Sequence, residues 1–134
     1  MNYKAHITIG TLTGLGVSFA AHHYQYHLSP VLITVPAIIG SILPDIDHPK
    51  SYLGRKLPFL SKPIFHTFGH RTITHSLLFL CMVTGALMKT DTSVGIGTFF
   101  GISSHLLADM LTPFSKGIAL FYPYRKRIGF FMAK

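Results

Sequence analysis

Histidine and aspartate side chains occur at four separate places along the chain, each at one edge of an apolar segment. The densest group is residues 70–76, which reads His-Arg-Thr-Ile-Thr-His-Ser and directly precedes an apolar run. Ionisable groups at membrane depth are costly, so they indicate a functional site by default. Imidazole and carboxylate ligands without a thiolate suit zinc, manganese or iron. The candidate metal ligands are His6, Asp45, Asp47, His48, His70, His75, His105 and Asp109.

The spacing within each group decides which side chains can share a metal ion. His105 and Asp109 are four residues apart, so both lie on the same face of a helix. Residues 45–48 follow a proline and offer three ligands from a turn, although aspartate is also common in turns without a metal. His70 and His75 are five residues apart and can converge only if His70 lies in the loop and His75 in the next helical turn.

The number of candidate ligands exceeds that of one tetrahedral site, so two or more ions can be accommodated, zinc above all. Such ions generate hydroxide from water at neutral pH and hold phosphoryl oxygens. Arg71 would bind a phosphate group or stabilise negative charge in the transition state. Asp45 and Asp109 are the other candidate catalytic residues. This donor set therefore predicts metal-dependent hydrolysis of a phosphoester.

The composition indicates an integral membrane protein. The chain has 134 residues, 12 Lys and Arg, 4 Asp and no Glu, and only 12% of its residues are charged, against about 25% in soluble domains. Apolar residues make up 49% of the chain, and the mean hydropathy is +0.42. The net charge of +8 could indicate a nucleic-acid partner. The basic residues, however, lie between apolar segments as in membrane loops, so membrane lipids are the expected partner and nucleic acid is not.

Four apolar segments, 5–21, 31–43, 72–88 and 94–111, must position these side chains. They predict an all-α membrane bundle of about four helices in a single domain, 1–134. The segment 31–43 spans only about 20 Å as a helix, less than a hydrocarbon core of about 30 Å, so full crossing and re-entry both stay open. The segment 5–21 could also be a signal peptide, but the polar His6 would interrupt its apolar core.

The connection formed by residues 50–69 mixes basic with apolar residues, which predicts a loop on the membrane surface. If the four segments alternate in direction, every candidate ligand lies at the same membrane face. One Lys, Lys89, lies on the opposite side, whereas eleven basic residues share the ligands' side: Lys4, Lys50, Arg55, Lys56, Lys62, Arg71, Lys116, Arg125, Lys126, Arg127 and Lys134. This asymmetry predicts a multi-pass protein of the inner (cytoplasmic) membrane with its site facing the cytoplasm.

The same motifs resemble a known family, the LexA-regulated, membrane-bound metal-dependent hydrolases, which are small bacterial inner-membrane proteins. The resemblance covers His6 in a glycine-containing apolar helix, residues 40–48 (GSILPDIDH), residues 70–78 (HRTITHSLL) and residues 105–112 (HLLADMLT), in this order. Residues 117–123 also resemble the Gly-to-Pro ending of that family. The chain is short for the family and lacks Glu, so a further ligand or substrate-binding region could be missing.

The resemblance implies metal ligation by all eight candidate ligands without dividing them between ions. A looser likeness to zinc-dependent phospholipases C, whose helical sites are rich in His and Asp, implies a phosphoester substrate that can be lipid-borne. Two alternatives stay open: a membrane protein that translocates protons or metal ions through the His/Asp cluster, and a structural module whose metal only joins helices. Transport needs a path to the opposite side, where few ionisable groups occur.

Overall fold

Helices connected by short turns form most of the chain. The computed structural model describes residues 2–113 and 115–131, so Lys134 lies outside the described part. The α-helices are α1 (Tyr3–His23), α2 (Pro30–Gly40), α3 (Tyr52–Lys56), α4 (Pro58–Phe68), α5 (Leu77–Met88) and α6 (Thr92–Leu111). Two 3₁₀ turns, Leu43–Asp47 and Ile73–His75, precede α3 and α5. The described residues contain no strand, which confirms the all-α class for them.

Side-chain caps fix where the longer helices begin. The side chains of Asn2, Ser29, Ser76 and Asp91 accept backbone N–H bonds from the first turns of α1, α2, α5 and α6. Such caps satisfy amide groups that have no partner within the helix. The positions of the caps therefore explain the observed helix starts.

The observed boundaries correct two predictions. The apolar segment predicted to begin near residue 72 forms a helix only from Leu77, because Ser76 has extended backbone and caps that helix. Residues 50–69 do not form a simple loop, because they contain α3 and α4. The residue after α4 is Gly69, which has a positive φ of 81°. A residue with positive φ is a common helix stop, and glycine adopts it without strain.

Within the described part of the chain, two segments are long and apolar enough to cross a membrane by length and composition, Pro30–Asp47 and Thr92–Leu111. The first combines α2 with the 3₁₀ turn that follows it, so the predicted 13-residue segment extends to 18 residues. The apolar helix α5 has 12 residues, about 18 Å, which is shorter than a hydrocarbon core. Of the four predicted membrane helices, the two that correspond to Pro30–Asp47 and Thr92–Leu111 are therefore long and apolar enough to span a membrane.

The helix α2 packs between α1 and α6 at short range. Gly97 and Gly101 of α6 face backbone carbonyls of α2, and a Cβ at either position would collide with the carbonyl of Ile33 or Ala37. Ser18 of α1 lies 3.1 Å from Thr34 of α2, between their hydroxyl oxygens. Small residues and hydroxyl pairs of this kind are typical of helix contacts in lipid. This packing brings the ends of α2 and α6 together.

The outward faces of the helices are apolar. Exposed large side chains include Leu12, Phe19, Val31, Ile39 and Met82, whereas the buried residues include many histidines, serines, threonines and aspartates. An apolar surface of this extent marks contact with a membrane or a partner. The distribution agrees with a chain surrounded by lipid.

Residues 117–131, which we call the bridged loop, fold back over the ends of α5 and α6. Ile118 and Ile128 exchange two backbone hydrogen bonds of 2.9 and 2.8 Å. Ile118 is fully buried and joins Leu80 and Leu106 in an apolar cluster. The bridged loop is therefore part of the packed fold.

Candidate metal centre

The last turns of α6 supply two fully buried ligands. His105 and Asp109 lie on one helix face, and 3.8 Å separates His105 Nε2 from Asp109 Oδ2. His105 Nδ1 lies 2.6 Å from the carbonyl oxygen of Ser41. A carbonyl only accepts, so Nδ1 carries the proton and donates it. The Nε2 atom of neutral His105 consequently carries no proton, and its lone pair is free to bind a metal ion.

The 3₁₀ turn that extends α2 supplies Asp45. Its Oδ1 atom lies 3.7 Å from His105 Nε2 and 3.8 Å from His75 Nε2. The side chain is 18% exposed, whereas both histidines are fully buried. Asp45 therefore connects the buried imidazoles with solvent at the surface of the site.

Asp47 lies two residues further on and accepts several hydrogen bonds. His70 Nδ1 lies 2.7 Å from its Oδ1. The backbone N–H of Arg71 donates to Oδ2 at 2.9 Å, and the hydroxyl of Thr74 donates to the same oxygen at 2.6 Å. Asp47 is completely buried. It thereby joins the end of α2 to the loop before α5.

His75 is held in a defined tautomer by two neighbours. Its Nδ1 lies 3.2 Å from Asp47 Oδ2 and 3.1 Å from the oxygen of Thr74. Thr74 gives its one hydroxyl proton to Asp47, so its oxygen accepts towards His75, and His75 Nδ1 carries a proton. A histidine that donates one ring N–H to a carboxylate offers the other nitrogen to a metal.

The four atoms His75 Nε2, His105 Nε2, Asp45 Oδ1 and Asp109 Oδ2 form the metal quartet, and one ligand atom from each residue lies within 4.8 Å of the others. The two imidazole nitrogens are 3.2 Å apart, and His75 Nε2 is 3.4 Å from Asp109 Oδ2. Ligands at about 2.0–2.1 Å from a tetrahedral ion are separated by about 3.3 Å. The residues present therefore fit a divalent metal ion.

Two further histidines border the metal quartet. His6 is buried and stacks on His105, with ring centroids 3.9 Å apart. Its Nε2 lies 3.6 Å from Asp109 Oδ1, and its Nδ1 has no hydrogen-bond partner among the described residues. His70, with Asp45 and Asp47, forms a second group of close candidate ligands. Asp45 belongs to both groups, which leaves room for a second ion.

His48 lies at the edge of this arrangement. Its ring contacts that of His70 at a centroid distance of 4.6 Å, and its Nδ1 accepts the backbone N–H of Lys50 at 3.1 Å. Neither group of close ligand atoms includes it. Burial, with a smaller contribution from His70, lowers the pKa of His48. The structure thus brings all eight predicted ligands into one region, with His48 outermost.

The electrostatics favour a cation next to His75. Burial alone disfavours protonation of His75, but its interactions with Asp109 and Asp47 outweigh that cost and raise its pKa to about 9. The metal-free site therefore holds a proton at the place that a metal ion would occupy, since both are cations attracted by the same carboxylates.

Arg71 combines an unusual backbone with a specific charge contact. Its φ is 61°, a left-handed conformation that costs about 1–3 kcal/mol for a residue other than glycine. Its Nε lies 3.0 Å from Asp109 Oδ2, and its side chain is 15% exposed. The guanidinium group consequently lies between the metal quartet and solvent.

A cavity of about 330 Å³ opens over these groups. Asp45, His70, Arg71 and Asp109 form part of its wall. The rest includes the cationic Lys50 and Arg55, the stacked rings of Tyr3 and Tyr52, and Asn2. An anionic group that enters this cavity meets three basic side chains beside the candidate metal ligands.

Several participants were not identified from the sequence. Thr74 donates its hydroxyl proton to Asp47, and the nearby Ser76 caps α5. The carbonyl of Ser41 is a backbone group, so no residue type marks it. Lys50 and Arg55 were counted only as basic residues of a membrane loop, because basic residues at an interface give no indication of where they point.

The comparisons with known proteins agree with a membrane location. The family described as YdjM inner membrane protein matches residues 1–134. The uncharacterized protein YvsG of Bacillus subtilis is 38% identical over 131 residues, which cover 96% of this chain and 77% of that protein. The inner membrane protein YdjM of Escherichia coli is 44% identical over 116 residues, which cover 75% of this chain and 57% of that protein. No solved structure matches the chain.

Proposed function

The chain belongs to the YdjM inner membrane protein family, and on that premise we propose that it is a membrane-bound metal-dependent hydrolase acting on a phosphoester. The observation that carries this proposal is the position of Asp45 and Asp109, the two carboxylates of the metal quartet, in the wall of an open cavity that also presents Lys50, Arg55 and Arg71. Metal ligands and anion-binding cations share one cavity, which is the requirement for hydrolysis of an anionic ester.

The eight candidate ligands have different roles in this proposal. Asp45, His75, His105 and Asp109 hold the metal ion. Asp47 holds His70 and His75 in the orientation that exposes their other ring nitrogens, as carboxylates do for metal-ligating histidines. His70, with Asp45 and Asp47, would hold a second ion, and His6 and His48 lie beside His105 and His70. Zinc suits this nitrogen and oxygen donor set, and manganese or iron are the alternatives.

A divalent metal bound there would supply Lewis acidity, which would make water a better nucleophile and the phosphorus atom of the substrate more electrophilic. Arg71 binds the phosphate from the solvent side and stabilises charge that develops on its oxygens. Asp45, the most exposed carboxylate of the metal quartet, accepts a proton from the attacking water. Asp109 keeps Arg71 in place through the 3.0 Å ion pair. The strained backbone of Arg71 fits such a role, since strain is concentrated at functional sites.

The proposed substrate is lipid-borne, and the proposed arrangement is multi-pass with the site at the cytoplasmic face. Two candidate spans end at the metal quartet, and eleven of the twelve basic residues lie on that side of the predicted topology. A cavity at the border of the bilayer is open to headgroups of the adjacent leaflet. An amphiphile could therefore present its phosphate without leaving the membrane.

The test is hydrolysis by the detergent-purified full chain, loaded with zinc or manganese, of bis(p-nitrophenyl) phosphate and of phosphatidylglycerol in mixed micelles. We expect release of product by the natural sequence and by the control variant His23→Ala, whose histidine is exposed. We expect only background rates for His105→Ala/Asp109→Ala. Equal rates in the double variant would refute the proposal. Metal binding without hydrolysis, together with metal uptake into proteoliposomes, would favour the transport alternative.

A further inference from the structure

The bridged loop (residues 117–131) is fixed at the border of the membrane-embedded part. The backbone N–H of Leu77, the first residue of α5, donates to Leu120 at 2.9 Å. The N–H of Phe130 donates to the carbonyl of Met110, next to the end of α6, also at 2.9 Å. Both helices are apolar, and the end of an apolar helix marks the depth at which headgroups begin. The bridged loop therefore lies at headgroup depth.

Aromatic side chains of the bridged loop point away from the fold. Phe121 is 57% exposed and Tyr124 is 72% exposed, and Phe130 and Phe131 are exposed to a similar extent. Four large rings on one short loop would be unfavourable in water, whereas rings of this kind are enriched at membrane interfaces. Their exposure thus indicates a partner that is part apolar and part polar.

Basic side chains lie between these rings. Arg125 and Lys126 are exposed, and no carboxylate of the described residues forms an ion pair with either of them. Arg127 differs, because its guanidinium donates to the carbonyls of Gly117 and His70, each at 3.2 Å. The hydrogen bonds of Arg127 thus help to hold the bridged loop in place. Arg125 and Lys126, in contrast, present positive charge to the surroundings.

Aromatic and basic side chains of the bridged loop line the same shallow depression of about 600 Å³. Phe121, Tyr124 and Ile128 contribute apolar wall, and Lys126 and Arg127 contribute basic edges. A phospholipid has the same division, with apolar chains next to an anionic phosphate. Positive charge at a membrane surface attracts anionic lipids in particular.

We propose that the bridged loop binds anionic phospholipid of the adjacent leaflet. Arg125 and Lys126 contact the phosphate, and the exposed rings of Phe121 and Tyr124 contact the glycerol and upper acyl region. This surface lies outside the metal quartet and its cavity, so the proposal does not depend on hydrolysis. It does depend on a bilayer, which the match to an inner membrane protein family provides.

The chain contains no tryptophan, which allows a single fluorescent reporter. Phe121→Trp in the full chain is reconstituted in vesicles of phosphatidylcholine that contain an equal fraction of either brominated phosphatidylglycerol or brominated phosphatidylcholine. Bromine quenches tryptophan only on close approach. We expect about twofold stronger quenching by the anionic lipid at low salt, and a smaller difference at high salt, because salt screens exposed charges.

Two further variants test whether the lipid preference comes from the basic residues and from this position. In Phe121→Trp/Arg125→Gln/Lys126→Gln, the preference for brominated phosphatidylglycerol should disappear while quenching by phosphatidylcholine remains. In Phe19→Trp, the reporter is on the exposed face of α1, and residues 5–49 contain no Lys or Arg, so no preference is expected. Equal quenching of Phe121→Trp by both lipids would overturn the proposal, as would the absence of quenching by either lipid.

Discussion

His75 Nε2 and His105 Nε2 lie 3.2 Å apart, and the opposite nitrogen of each ring is committed to an acceptor. His105 Nδ1 donates to the Ser41 carbonyl, and His75 Nδ1 faces Asp47. Two bare lone pairs at that distance repel each other, so a cation must lie between or beside them. Either a proton or a metal ion meets this need, and the two nearby carboxylates favour both.

Metal content should depend on the metal quartet. We expect the purified natural protein to contain at least one divalent ion per chain, measured by elemental mass spectrometry. His105→Ala/Asp109→Ala should contain none, because two of the four ligands are removed together. His23→Ala should keep its metal, which controls for the loss of any histidine. A folded double variant that retains the ion would contradict the assignment.

Asp47→Asn should weaken metal binding without abolishing it. The asparagine keeps one oxygen acceptor but loses the negative charge that orients His70 and His75. Loss of such a supporting partner typically reduces metal affinity by about 10–100-fold. Competition with a chelator of known affinity measures the change. Complete loss of the ion would instead make Asp47 a direct ligand.

Metal affinity should rise with pH. The pKa of His75 is raised to about 9 in the metal-free fold, so at neutral pH a metal ion has to displace a proton from this ring. Between pH 6.5 and about 9, each unit should strengthen binding by up to about tenfold, and the gain should level off above that range. Titration calorimetry in buffers of different ionisation enthalpy also counts the released proton. Affinity that does not change over this range would show that His75 binds no metal.

Arg71→Gly should separate activity from folding. Glycine adopts a φ of 61° without strain, and it keeps the backbone N–H that donates to Asp47. We expect metal content and thermal stability near those of the natural protein, with phosphoester hydrolysis reduced by about 10²–10³-fold through loss of the guanidinium. Unchanged hydrolysis would remove Arg71 from the catalytic residues.

Gly101→Ala should destabilise the contact between α2 and α6. The added Cβ would collide with the carbonyl of Ala37, and overpacking of this kind costs about 1–3 kcal/mol. Gly16→Ala is the matched control, because nothing lies within 4 Å of the Cβ position there, and alanine favours a helix over glycine. Thermal unfolding in detergent should show a lower midpoint only for Gly101→Ala.

The sequence predicted much of the helical framework. The runs of apolar residues located α1, α2 and α6 to within a few residues, because hydrophobicity and capping act between near neighbours. The start of α5 was placed five residues too early, since several polar residues of the stretch 72–76 precede the apolar run and only Ser76 caps the helix. The two short helices α3 and α4 were not predicted, because five to eleven residues with internal prolines and glycines carry a weak helical pattern.

The sequence by itself determined which side chains are candidates for a metal site, because residue type and the four-residue spacing of His105 and Asp109 are local properties. Only the tertiary structure decided their roles. Asp47 and the Ser41 carbonyl fix the tautomers of histidines that are 28 and 64 residues away. Lys50 and Arg55 enter the cavity wall because residues 50–55, which include the start of α3, lie beside the site. Residues that are distant in the chain form these hydrogen bonds and the cavity wall. The spacing of residues along the sequence therefore does not predict them.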